Sequence, residues 1–236
     1  MSYAGLIRPV VDRVYLGARQ AARDRITGYY AERGLRPGFE VSFNFGLLAR
    51  PMPARALDDV LVYVGADMSA ELAQGVAEVD ADGAWRLTGL GRELATAVQR
   101  MTAEAAEERW AAAPAYLPGP AAVPRLADLV GRLLTHGLAT GGPGFRAMAP
   151  VHEPADASPA LRLTSRLGAL RHHRGDAHRA AWRAAGLTVD EIRGLPDGPA
   201  RRAIEVETNR LDEPVYAVLT AGERMELLAG LGALPD

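Results

Sequence analysis

The chain has 236 residues, of which 48% are hydrophobic and 24% charged, an ordinary balance for a globular protein. It has no cysteine, which excludes disulfides, thiolate metal ligands and cysteine nucleophiles; all 27 basic residues are arginine, which excludes Schiff-base chemistry on lysine. The formal net charge of −2 gives no global attraction to nucleic acid, so any such binding needs a local basic patch.

No stretch reaches the roughly 18 consecutive apolar residues of a membrane helix. The opening "MSYAGLIRPVVDRV" lacks the basic-then-apolar layout of a signal peptide, so a cytoplasmic location is expected. Residues 3–35 read as helical: Val10, Val11, Val14, Ala18 and Ala21 recur at helical spacing, and Gly34 marks a stop. Residues 41–53, "VSFNFGLLARPMP", are short, apolar and punctuated by Pro51 and Pro53.

From residue 54 the pattern changes. "ARALDDVLVYV" predicts an amphipathic helix, "GADMS" a turn with Ser69 as N-cap, and "AELAQGVAEV" a second helix or a helix running into a strand. "DADG" carries the Asp-Gly hairpin signal, "AWRLT" reads as a strand, and Thr88 is placed to cap "GLGRELATAVQRM". Helix, turn, helix, hairpin, helix is a winged-helix order. "AAAPAYLPGPAAVP" (111–124) predicts a proline-rich linker, "RLADLVGRLLTHGLA" (125–139) an amphipathic helix, and residues 140–160 a long irregular connection. Residues 161–186 read as one long helix ending at Gly186, followed by a short helix from Thr188 and two closing helices divided near Pro214 and Thr220.

The long helix holds three of the five histidines, in "LRHHRGDAHRAAW" (170–182). At about 100° per residue, Leu163, Leu167, Leu170 and Ala181 form an apolar stripe. Arg174 and His178 fall within it, and Arg171 lies at its edge. His172, Asp176, Arg179 and Arg183 fall on the far side, and His173 lies between the faces, within reach of Asp176. A guanidinium in a core face needs an acid or an anionic ligand, so Arg174 pairs either with a closing-helix glutamate such as Glu205 or Glu207, or with a bound anion. An imidazole beside that cation tends to stay neutral, which suits acid–base work or ligation. A structural network, a small-molecule site and a metal site are all open readings, although no familiar metal spacing is present. Gly175 in mid-helix costs about 1 kcal/mol relative to alanine and leaves room for a backbone or a ligand.

"WRLTGLGREL" resembles the wing-to-helix passage of MarR-family regulators. "LRHHRGDAHRAAWRAAGLTVDEI" resembles a mainly actinobacterial family of winged-helix proteins with a Glu-His-Arg-Gly-Asp-Gly-His stretch. His173, Arg174, Gly175, Asp176 and His178 match it, His172 stands at the family's Glu, and Ala177 at its second Gly. "FNFGLLARPMP" (43–53) and "IEVETNRLDEPVY" (204–216) resemble two further segments of that family, the second with Asn209 in place of an Asp. The resemblance implies a shared pocket and no settled activity.

The expectation is therefore a mainly α chain with one winged helix-turn-helix unit and a small β-wing. Its parts are an N-terminal helical segment (1–53), a winged-helix unit (54–112) and a helical domain (113–236) carrying the histidine helix. The candidate site has His178, His173 and Asp176 as acid–base groups, with Asp176 orienting His173. Arg174, Arg171, Asn44, Phe43 and Phe45 are its ligand contacts. No metal or cofactor is assigned. The expected partner is a polar or anionic small molecule, sensed or transformed, with His178 as the acid/base of the enzyme alternative; a homodimer is expected by analogy. DNA reading by a MarR-like regulator is the alternative, opposed by Glu71 and Glu78 and by the absence of arginine in "SAELAQGVAEV", although Arg50 and Arg55 are available for phosphates. His136 reads as a helix-end residue and His152 with Glu153 as a loop.

Overall fold

The computed structural model describes residues 2–37, 41–65, 67–113 and 119–235. The first helix, α1 (Tyr3–Ala31), starts where the Ser2 hydroxyl accepts from the Gly5 N–H, and the chain leaves it through Gly34 at φ +68°, a backbone that favours glycine. Next come α2 (Val41–Ala49), β1 (Met52–Pro53), α3 (Ala54–Val60), α4 (Ser69–Ala73), β2 (Ala77–Val79) and β3 (Ala84–Leu87). The three strands form an antiparallel sheet in the order β1-β3-β2, with Met52 opposite Trp85 and Val79 also opposite Trp85 on the other side. The Asp80 carboxylate closes the β2–β3 turn by accepting from the Asp82 and Ala84 N–H groups.

Helix α5 (Gly89–Ala111) starts at Thr88, whose hydroxyl accepts from the Gly91 N–H. Gly91 is required there, because a Cβ would sit 1.9 Å from the Val76 carbonyl oxygen. The rest of the chain gives α6 (Val123–Thr140), α7 (Pro143–Met148), α8 (Pro159–Ala184), α9 (Val189–Gly194), α10 (Pro199–Asp212), a 3₁₀ segment (Glu213–Val218) and α11 (Ala221–Gly232). The protein is thus mainly helical with one small sheet.

Four local expectations are corrected. The helix from Ala54 stops at Val60, and a turn follows that carries Val62 and Tyr63. Ser69 is not the cap of α4; Asp67 accepts from the Ser69 N–H instead, at 2.9 Å. The connection 140–160 contains a helix, α7. The linker 111–124 lies partly outside the described residues, and its end, Gly119–Ala122, is a 3₁₀ turn leading into α6.

The main core draws on the whole chain, with Ile7, Leu47, Trp110, Leu129, Leu133, Leu163, Leu167 and Leu231 among its buried members. Helix α8 runs through the middle and packs against α1, α5, α6, α7 and α10. Its burial makes α8 a scaffold: each fully buried leucine contributes about 2 kcal/mol relative to exposure. A smaller cluster of Ala181, Trp182, Ile192 and Ile204 fastens the end of α8 to α9 and α10, with Val62 and Tyr63 against it.

Candidate functional site

A cleft of about 380 Å³ opens along α8, walled by α1, the end of α3 with its following turn, α10 and the 3₁₀ segment that follows it. Arg171, His172, Arg174, Gly175, Asp176 and His178 line it from α8, and Arg8, Asp12, Asp59, Tyr63, Glu205 and Tyr216 from the other walls. Val11, Val60, Val62 and Leu170 supply its apolar surface. A cleft of this size with a few polar groups on apolar walls matches the form of a small-molecule site.

The charges of the cleft are paired within the protein. Arg174 donates through Nη2 to Glu205 Oε2 and through Nη1 to Asn209 Oδ1, both at 2.8 Å, with Asp212 Oδ2 at 3.6 Å. Of the two expected glutamates, Glu205 is the partner, and Glu207 pairs with Arg210 along its own helix. Arg171 donates through Nε to Asp12 at 2.6 Å and lies over the Tyr15 ring. Arg8 stands 3.5 Å from Asp12 and 3.9 Å from Glu205.

His178 is bonded through Nδ1 to the Tyr63 hydroxyl at 2.7 Å, and Trp182 Nε1 donates to the same hydroxyl at 3.0 Å. An indole N–H only donates, so the Tyr63 oxygen accepts from Trp182 and its hydrogen is directed to His178 Nδ1. That bond selects the tautomer with the hydrogen on Nε2, the nitrogen 3.8 Å from Glu205. Burial lowers the His178 pKa, reinforced by Arg174, Arg8 and Arg201 and opposed by Glu205. His178 is therefore a neutral imidazole at neutral pH, with an N–H donor on the Glu205 side.

Behind the cleft is a second, buried network. His173 Nδ1 donates to Asp212 at 2.7 Å, and Thr140 Oγ1 lies 3.0 Å from its Nε2. The Phe145 ring meets the imidazole edge-on, with centroids 5.3 Å apart. Both ring nitrogens of His173 are thus engaged by protein.

The expected pairing of Asp176 with His173 is corrected. Asp176 accepts from the Gly144 and Phe145 N–H groups at the start of α7 and pairs with Arg179, which also binds Asp59 at 2.9 Å. Helical spacing puts Asp176 and Arg179 on a far side, yet their side chains are 8% and 6% exposed. Helix α8 packs on five neighbours and keeps a wet side only towards its end, where Arg183 is exposed; two opposite charges that neutralise each other enter the interior together. His172, also set on the far side, lines the cleft.

Phe43, Asn44 and Phe45 do not join the cleft. Helix α2 packs on α5, α7 and β3, which turns Phe43 and Asn44 into the core at 0% and 4% exposure. Phe45 borders a separate small cavity with Tyr15, Gln99 and His152. His136 is half-buried on α6 away from the cleft, and Glu153 beside His152 binds Arg166 at 2.6 and 2.7 Å. Sequence reasoning missed Tyr63, Asp12, Arg8, Asp59 and Tyr216 as cleft residues; each comes from a distant part of the chain, and no local spacing marks it. Among the described residues no group of three or more His, Asp or Glu is arranged to hold a metal ion, and no helix is long and apolar enough to cross a membrane.

Comparison with family models, with curated proteins and with solved structures gives no match.

Proposed function

We propose that the protein binds a small polar or anionic metabolite in the cleft along α8, either to sense it or to transform it. The observation that carries this reading is the cleft itself: about 380 Å³, bordered by two imidazoles and three arginines, on the helix that also anchors the core. The His-Arg-Gly-Asp-x-His motif supports it, since Arg174, Gly175, Asp176 and His178 all border the cleft and His173 braces α10 behind it. In a reaction, His178 is positioned to donate through its Nε2–H, its tautomer selected by Tyr63.

The scaffold of this proposal is a winged helix resembling the MarR type. The succession α2–β1–α3–α4–β2–β3 and the strand order β1-β3-β2 support that reading. They also favour the alternative of a DNA-binding regulator. Against it, α4 spans five residues with Glu71 buried and no arginine, and Arg86 on the hairpin pairs with Asp80. Arg50 is engaged as well, donating to the carbonyls of Arg146, Ala147, Ala149 and Pro150. A homodimer through the terminal helices belongs to the same proposal, by analogy with winged-helix regulators.

The test is to denature freshly purified protein and analyse the released small molecules by mass spectrometry. A stoichiometric polar compound supports the reading. Retention of none, even after incubation with a cell extract, counts against it.

A further inference from the structure

Every charged side chain that lines the cleft has a protein partner: Arg8 and Arg171 with Asp12, Arg174 with Glu205, and Asp59 and Asp176 with Arg179. His178 and Tyr63 bond to each other, and two further polar groups on the wall stand outside these pairs. The His172 imidazole and the Tyr216 hydroxyl both belong to cleft-lining residues, and neither makes a hydrogen bond among the described residues. His172 is half-buried; burial, helped by Arg171, pushes its pKa down to about 4. Burial likewise raises the Tyr216 pKa well above the usual value, with Asp212 adding to the shift. Both groups are therefore uncharged at neutral pH.

An uncharged imidazole offers one N–H donor and one lone-pair acceptor, and a phenol offers one hydrogen and an accepting oxygen. A ligand that expels water from the cleft has to satisfy these groups or leave them unpaired at a cost. A charged ligand meets a different obstacle. An anion seated on Arg171 or Arg174 competes with Asp12 or Glu205 for the guanidinium, and a cation seated on those acids competes with the arginines. A neutral ligand disturbs no pair.

We propose that the cleft takes a neutral, hydroxyl-bearing small molecule, with His172 as the residue that pairs with its hydroxyl and Tyr216 as the second contact. This narrows the small-molecule reading above and rests on it. The free lone pair of His172 also places it to accept a proton from that hydroxyl, whereas His173 has both nitrogens bonded and His178 presents its Nε2–H as a donor.

Diethyl pyrocarbonate tests this without knowledge of the ligand. It transfers an ethoxycarbonyl group to an uncharged imidazole nitrogen that is free and accessible; the anhydride C–O bond breaks, and the leaving ethyl carbonate gives carbon dioxide and ethanol. Peptide mapping of the full-length protein at neutral pH is expected to find His172 modified and His173 unmodified. In Gly175→Leu, whose added side chain projects into open space beside His172, modification of His172 is expected to be lost. Inorganic phosphate, as an anionic probe, is expected to leave the His172 rate unchanged. An unmodified His172 while His136 and His152 react, or unchanged reactivity in Gly175→Leu, would overturn the role of His172. Protection by phosphate would overturn the neutral-ligand class. A reactive, Leu-shielded His172 in a protein that retains no small molecule would sink the binding reading alone, so the two failures are distinguishable.

Discussion

His173 and Asp212 face each other across 2.7 Å, with both side chains 1% exposed. This bond ties the middle of α8 to the last residue of α10, so the wall that carries Glu205 is held against the helix that carries Arg174. Removing one partner of a buried hydrogen bond leaves the other unsatisfied, which costs about 1–3 kcal/mol. Asp212→Ala is expected to destabilise by that amount in urea unfolding, and Asp212→Asn, which still accepts from His173, by clearly less. Equal, small losses in both would show that the bond contributes little.

Tyr63→Phe removes the hydrogen directed to His178 Nδ1 and the acceptor of Trp182 Nε1. The expected cost is about 1–2 kcal/mol, with fold and cleft retained. The informative readout is the imidazole ¹⁵N spectrum of His178. Wild type is expected to show the Nε2–H tautomer, and the variant a mixture of both. An unchanged tautomer in Tyr63→Phe would mean that Tyr63 does not select it.

Lowering the pH from about 6.5 to 4 is expected to weaken the fold through His172. Its folded pKa of about 4 lies below the value of 6.5 for a free imidazole, so in this window the unfolded chain binds a proton that the folded one does not. Stability therefore falls as pH falls through 6.5, by on the order of 3 kcal/mol once pH 4 is reached, and the contribution is flat at higher pH. His178 titrates in the same sense through burial. Urea midpoints at pH 7 and pH 5 check this: His172→Gln should flatten the difference, and an identical pH slope in wild type and variant would contradict it.

Gly175→Ala tests the open side of α8. A Cβ there meets nothing within 4 Å, so alanine brings its helix propensity without a clash. The variant is expected to be more stable by about 1 kcal/mol. A loss of stability would mean that the position is filled in solution by something that the added methyl displaces.

Local elements were legible because local physics makes them. Thr88 capped α5, Gly186 at φ +77° ended α8, and Asp80 and Gly83 closed the hairpin, as their short-range chemistry required. The helix starting at Ala54 was overextended because its apolar pattern continues through Val62 and Val64, while the chain turns so that Tyr63 meets Trp182. The choice of cleft residues was legible only in part. Arg174, Arg171 and His178 were singled out because a polar group within an apolar stripe stands out, and the alternative of a Glu205 partner was already visible. The face of His172 was not, because the wheel assumes one buried stripe and one wet side, whereas α8 is enclosed by five helices and its cleft is a gap among them. The partners Asp12, Tyr63 and Asp212 come from sequence separations of 159, 115 and 39, which no periodicity reports.

The central claim is that the cleft along α8 holds a small molecule, and native mass spectrometry of wild type beside Gly175→Leu tests it most directly. The account predicts a mass excess of a small organic compound on the freshly purified wild type and its absence from the variant, with both proteins folded. The chain mass alone in both, or the same excess in both, would contradict it.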